Sequence, residues 1–256
     1  MSAGLQIPPN KLPEWSLWLD QAAQRERIPH AQMLVCEDGG IAWPLALDYL
    51  HRLLCAAPSA LGACKTCPSC IQLANLAHPD VHWIIPVVGG EGRGDDEDSS
   101  APFLADFRRF LLDNPQPLAN DWIELLGGKQ KVVQISVKES ARIQRLLSLK
   151  SHGGGFKVVV LWMPERLNDS AANKLLKLIE EPQDRTLLLF ISHDEQSVIA
   201  TIRSRCQVHY ARPLGSSILI DGLVGLGIPA DQAELLAELS GGQPGQAVML
   251  HRNRDA

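Results

Sequence analysis

The sequence lacks any apolar run long enough to cross a membrane. Its longest, Lys157 to Met163 and Thr186 to Ile191, fall far short of the ~20 residues that such a helix needs. The N-terminus also lacks the basic region and following apolar stretch of a secretion signal, so a cytoplasmic location is the expectation. An excess of positive charge is missing too. Lys and Arg number 24 against 29 Asp and Glu, for a formal charge of -5. That balance excludes a protein that grips nucleic acid with its whole surface, because neutralising phosphates takes clustered Lys and Arg, so any DNA contact is local or belongs to a partner. No internal repeat is visible. What is present is a chain of 256 residues with 45% hydrophobic content, enough for one substantial core and a smaller satellite domain.

Short β-rich runs alternate with longer segments of helical period. The runs Gln32–Cys36, Val81–Ile85, Lys157–Trp162, Thr186–Ser192 and Gln207–Tyr210 read as strands. Pro44–Leu54, Val137–Leu149, Asp169–Glu181 and Glu195–Arg203 read as helices between them, the βαβ order of an α/β domain with a parallel sheet. In the third helix Asn168, Asp169 or Ser170 can cap the start, Ala172, Leu175, Leu176 and Ile179 form an apolar face, and Pro182 stops the helix. The glycine-rich, acidic run Gly89–Ser100 reads as a solvated loop without a packed core of its own. After Pro213 the pattern changes to short helices at Ser216–Val224, Ala230–Leu239 and Pro244–Leu250, jointed by glycines. The expected division is an α/β domain over 1–212 and a small helical domain over 213–256.

Four of the six cysteines fall within sixteen residues, with the spacing C-x8-C-x2-C-x2-C. Cys55, Cys64, Cys67 and Cys70 suit a closed tetrahedral Zn²⁺ site with no position left for water, hence a structural one in a zinc loop over 55–70. Unliganded reduced thiols and an iron–sulfur cluster are the alternatives; nothing else in the chain suggests electron transfer.

The strand Gln32–Cys36 runs through Glu37-Asp38-Gly39-Gly40-Ile41-Ala42 into a helix, the place of a phosphate-binding loop in a nucleotide-binding α/β domain. The loop motif GxxxxGK[ST] needs a lysine on the phosphates and a hydroxyl on Mg²⁺. Here Trp43 and Pro44 stand in their places, and Glu37 and Asp38 add repulsion. After Val158–Trp162 an ATPase would present acidic residues to Mg²⁺, whereas this chain has Met163-Pro164-Glu165, a single displaced carboxylate. On local sequence alone both segments are ordinary strand–helix turns.

From Asp169 the chain reads DSAANKLLKLIEEPQDRT and, further on, IRSRC. It resembles the bacterial DNA polymerase III clamp-loader family, AAA+ proteins with an N-x-LLK-x-LEEP helix and an SRC motif. Asn173, Leu175, Leu176, Lys177, Glu180, Glu181 and Pro182 match the first, with Ile179 in place of a leucine, and Ser204, Arg205 and Cys206 match the second. Ile28-Pro29-His30-Ala31 and the four-cysteine loop are similar as well, so the resemblance runs from about His30 to Leu250.

The resemblance implies an AAA+-like parallel sheet with a zinc-binding loop, followed by a helical lid. Within the family, subunits that hydrolyse ATP keep the phosphate loop and strand carboxylates, and subunits of the delta-prime type are degenerate there, as this chain is. Gly245-Gln246-Ala247 also stands where ATP-binding relatives place a nucleotide-sensing arginine. The implied role binds no ATP in this chain and has no self-contained active site. Arg205 acts instead as an arginine finger on a neighbouring subunit's ATP, with a salt-bridged surface arginine as the plainer alternative. Ser204 and Cys206 would position its loop, and Cys206 packed as a small hydrophobe is an equal reading. The implied partners are the tau/gamma and delta subunits, with the sliding clamp and primed DNA reached through the complex, in the holoenzyme of a DNA-directed DNA polymerase. Full-length members resemble one another in a third, collar domain, which is expected to be absent from a chain ending at Ala256. Two other readings compete. A divergent loader ATPase is opposed by the missing lysine and hydroxyl, and a zinc-dependent nucleic-acid reader by a cysteine loop with only Lys65 nearby.

Overall fold

The structure is a computed structural model that describes residues 5, 15–24, 28–59, 62–88, 99–127 and 132–254. In chain order the elements begin with α1 (Ser16–Gln24), β1 (Ala31–Val35), α2 (Ala42–Leu54), α3 (Pro68–Ala74), β2 (Val81–Ile84) and β3 (Val87–Val88). There follow α4 (Leu104–Asp113), α5 (Ala119–Leu125), β4 (Val133–Gln134), α6 (Val137–Ser148), β5 (Lys157–Trp162) and α7 (Asp169–Glu180). The chain continues through β6 (Thr186–Ser192), α8 (Ala200–Arg203), β7 (Gln207–Tyr210), α9 (Ser216–Gly225), α10 (Ala230–Leu239) and α11 (Pro244–Arg254).

Five strands form one sheet in the order β2-β5-β6-β1-β7, and β3 pairs with β4 in a separate two-stranded ribbon. Every pair in the large sheet is parallel, with Val159 opposite Leu188, Met33 opposite Phe190 and Gln32 opposite Gln207. Both faces of β5 and β6 are covered, which is why these strands read as unbroken apolar runs. Alternate residues divide between two apolar clusters. Met33, Val159, Leu161, Leu188 and Phe190 pack with Ile143 of α6 and Leu175 and Ile179 of α7. Leu34, Val160, Trp162, Leu189 and Ile191 face the other way, into a cluster that extends through α2 and α4 to Leu219, Leu223, Leu236 and Ala247 of the helical C-terminal region. Among the described residues, no helix is long and apolar enough to cross a membrane.

The five expected strands are present to within a residue, and Asn168 caps α7 by accepting from the N–H of Ala171 at 2.8 Å. The expected helix Glu195–Arg203 divides into a 3-10 turn at Glu195–Ser197, capped by the Asp194 carboxylate accepting from the N–H groups of Gln196 and Ser197, and the short α8, because Val198 and Ile199 between them leave the helical region, with ψ 133° and 124°. Residues 89–98 of the expected solvated loop lie outside the described residues. Its end corrects the expectation: Ser99 and Ser100 are buried, and Ser100 donates from N and Oγ to the buried carboxylate of Glu139 at 2.6 and 3.0 Å. Helices α1, α3, α4 and α5 and the β3–β4 ribbon were not foreseen from the sequence pattern.

Candidate functional site

In the strand order, β1 lies between β6 and β7, so its C-terminal end opens on the crevice where doubly wound sheets take ligands. In this chain the crevice is filled by the protein itself. The loop turns tightly, with Gly39 at φ 77° and the N–H of Gly40 donating to Glu37 O at 3.0 Å. A side chain on Gly40 would overlap Cys36 Sγ. The backbone N–H groups of Ile41 and Ala42, which a phosphate loop would aim at an anion, face that sulfur, while burial pushes the Cys36 thiol up. The indole of Trp43 turns inward, with its ring centroid 5.6 Å from that of Trp162, 5.7 Å from Phe107 and 6.0 Å from Trp83.

The start of α11 closes the loop from above. The N–H of Gly245 donates to Gly39 O at 2.7 Å, and a Cβ on Gly245 would lie 2.8 Å from Gly39 Cα and overlap Gln116 O. Gln243 Nε2 donates to Glu37 Oε2 at 2.9 Å. Asp38 accepts from the N–H of Ala119 at 2.8 and 3.1 Å, holding the first turn of α5. The remaining cavity of about 350 Å³ has Glu37 and Asp38 in its wall, the wrong sign for phosphate. At the end of β5 and β6, Glu165 accepts from Ser192 Oγ at 2.9 Å and the N–H of His193 at 3.3 Å, so the one displaced carboxylate is held by its own chain. His193 completes the network. Trp162 Nε1 can only donate, so His193 Nε2 accepts at 2.8 Å and Nδ1 carries the proton toward Cys36 O at 3.1 Å. Sequence reasoning found Trp43, Pro44 and the acidic pair but missed Cys36, His193 and Gln243. Cys36 had a readable signal, standing directly before the loop.

Arg205 sits at the other end of the sheet, in the turn between α8 and the start of β7. Its Nη2 lies 2.8 Å from Glu180 Oε1, and its Nη1 donates to Thr201 O at 3.1 Å and is 3.5 Å from Ser204 Oγ. Side-chain exposures of 41% for Arg205 and 48% for Glu180 place the pair in solvent reach. His30 joins the same end of the fold, its Nε2 2.7 Å from the carbonyl of Ile179, the residue before Glu180. The motif residues His30, Ile179, Glu180 and Arg205 thus converge although 175 positions separate the first from the last. Cys206 packs against Met33's side of the core, and burial pushes its thiol up to about 12.

The four cysteines converge as their spacing predicts. Cys55 ends α2, Cys64 follows a bridge between Ser59 and Gly62, Cys67 precedes α3, and Cys70 lies on α3's first turn. Their sulfurs all lie within 4.8 Å of one another. A tetrahedral ion with bonds of about 2.3 Å spaces its sulfurs about 3.8 Å apart, so this set fits Zn²⁺ with little movement. Backbone N–H groups already point at the sulfurs: Cys64 N to Cys55 Sγ at 3.3 Å, Cys67 N to Cys64 Sγ at 3.4 Å and Ala56 N to Cys67 Sγ at 3.5 Å. The N–H groups of Thr66 and Cys67 lower the Cys64 thiol to about 6. Burial raises Cys67, but the N–H groups of Ala56 and Cys70 outweigh it and the net shift is downward. Burial raises Cys70.

A family model described as DNA polymerase III, delta subunit, matches residues 12–214 of the chain. The protein named DNA polymerase III subunit delta' of Pseudomonas aeruginosa is 33% identical over 240 residues, which cover 92% of this chain and 60% of that protein. Its namesake in Escherichia coli is 28% identical over 200 residues, covering 77% of this chain and 47% of the relative. The chain therefore spans about half the length of the curated relatives it matches. Among solved structures, RuvB of Thermotoga maritima, described as a Holliday junction branch migration motor, aligns with a TM-score of 0.51 at 18% identity, covering 96% of this chain and 61% of that one. The Aeropyrum pernix Orc1 protein, solved in complex with DNA, gives 0.51 at 16% identity, covering 98% and 60%. Both share the AAA+ fold with this chain.

Proposed function

Because the chain belongs to the DNA polymerase III delta-subunit family, as a clamp-loader subunit of the delta-prime type, we propose that it is a module without nucleotide that supplies Arg205 to the ATP of a neighbouring subunit. The observation that carries this reading is the separation of the two ends of the sheet. The loop after β1 is filled by Cys36, Trp43 and the start of α11, and the motif arginine stands exposed at the opposite end, out of reach of its own crevice. A guanidinium brought against a neighbour's γ-phosphoryl stabilises the charge that grows on the equatorial oxygens during transfer, an effect worth ~10³–10⁵ in rate in GTPase systems. On this reading the neighbour is an ATP-hydrolysing tau/gamma-type subunit, delta is a further partner, and the assembly opens the sliding clamp and places it on primed DNA.

In the same proposal, Cys55, Cys64, Cys67 and Cys70 hold a structural Zn²⁺ that ties α2 to α3. An α/β domain over 1–212 bears Arg205, and the helical domain over 213–256 closes the loop. The test is ATP turnover by a reconstituted loader with clamp and primed DNA, comparing Arg205→Ala with the parent. A fall in turnover of tenfold or more with assembly unchanged supports the finger. Unchanged turnover overturns it and leaves Arg205 as a surface ion-pair residue.

A further inference from the structure

We propose that Glu180 is the positioning residue of Arg205, carried in place by the tie between His30 and the last turn of α7; this rests on the arginine-finger reading. An exposed arginine has several rotatable bonds, and a finger that must first be found in the right rotamer gives up part of its effect on the transition state. Here the guanidinium is held on two sides. Glu180 Oε1 takes Nη2 at 2.8 Å, and Thr201 O and Ser204 Oγ take Nη1 at 3.1 and 3.5 Å. The backbone that carries this carboxylate is itself tied down. Glu180 is the last residue of α7, and the His30 ring at the entry to β1 bonds the carbonyl just before it, at 2.7 Å.

A stabilising role for the ion pair is a poor explanation of this arrangement. Both partners are nearly half exposed, and pairs of that kind contribute little to folding. What the pair does provide is direction. With Nη2 on Glu180 and Nη1 on the α8 turn, the guanidinium is fixed in one plane at the surface before any partner arrives.

The experiment is a double-mutant cycle in the assembled loader, with this chain in its full-length context and with clamp, primed DNA and ATP present. A positioning role predicts that Glu180→Ala lowers kcat for ATP hydrolysis by about tenfold with KM for ATP unchanged, since the finger acts on the transition state. In the Arg205→Ala background, Glu180→Ala should then do nothing further, because the group it positions is gone. If Glu180→Ala lowers turnover equally in both backgrounds, it acts through structure and the proposal fails. A large effect of Arg205→Ala with none from Glu180→Ala also overturns it while leaving the finger intact. If Arg205→Ala itself has no effect, the finger reading fails, and this inference fails with it.

Discussion

Trp43 occupies the position at which a phosphate loop would offer its lysine, and its indole is 2% exposed among Trp83, Phe107 and Trp162. Restoring the motif by substitution should therefore not restore the activity. Trp43→Lys combined with Pro44→Thr is expected to leave Mg-ATP binding undetectable by calorimetry, since Cys36 Sγ and the start of α11 still fill the cradle. It should also cost about 3–5 kcal/mol of stability, the usual loss when a buried large aromatic is removed, read from urea unfolding. Binding at micromolar concentrations would show that the site is empty after all. At this scale the sequence was informative about identity and silent about placement. Trp43, Pro44, Glu37 and Asp38 announce a loop without the lysine and hydroxyl of a phosphate loop, because a missing lysine is a local fact. That Gln243 reaches Glu37 and His193 reaches Cys36 depends on contacts 206 and 157 residues apart, which no local pattern carries.

At the scale of elements, β5 and β6 were legible because a strand buried on both faces is an apolar run, and α7 because its cap, its apolar face and its terminating proline fall in register. Helices α4 and α5 escaped because they follow a loop whose composition dominates its surroundings, and α3 because its first turn is written in metal-ligand residues. That short helix leads to a prediction. Seven residues are too few to hold a helix unaided in water, so α3 should depend on the metal. The purified chain is expected to carry one zinc ion, and a strong chelator should abolish hydrogen-exchange protection at Cys67–Ala74 while that of β5 and β6 persists; full protection after metal removal would contradict it. Affinity should also depend on pH. Cys64 is already a thiolate above about 6, but Cys70, raised by burial, must release its proton to the ion. Zinc affinity should therefore fall as pH drops from about 8 to about 5, and a competition titration that is flat over that range would argue against a thiolate site.

For the whole molecule, net charge and joint geometry decide different things. A formal charge of -5 leaves little for phosphates to bind, so the isolated chain should not retain primed DNA on a filter at about 0.15 M salt, and tight salt-sensitive retention would favour a direct nucleic-acid reader. Gly245→Ala should cost about 1–3 kcal/mol or more in thermal unfolding, because its Cβ has nowhere to go between Gly39 and Gln116; an unchanged midpoint would mean that this contact is looser than described. The hydrogen bond from Gly245 to Gly39 has a mechanical consequence. A motor subunit performs work when a ligand opens and shuts the joint between its sheet and its helical region. Here the chain's own groups hold the joint together, through Gly245 on Gly39 and Gln243 on Glu37, where a ligand would otherwise work it. If the proposed role holds, such a joint would pass a load from one side to the other instead of absorbing it, and the subunit would serve its assembly as a fixed mount.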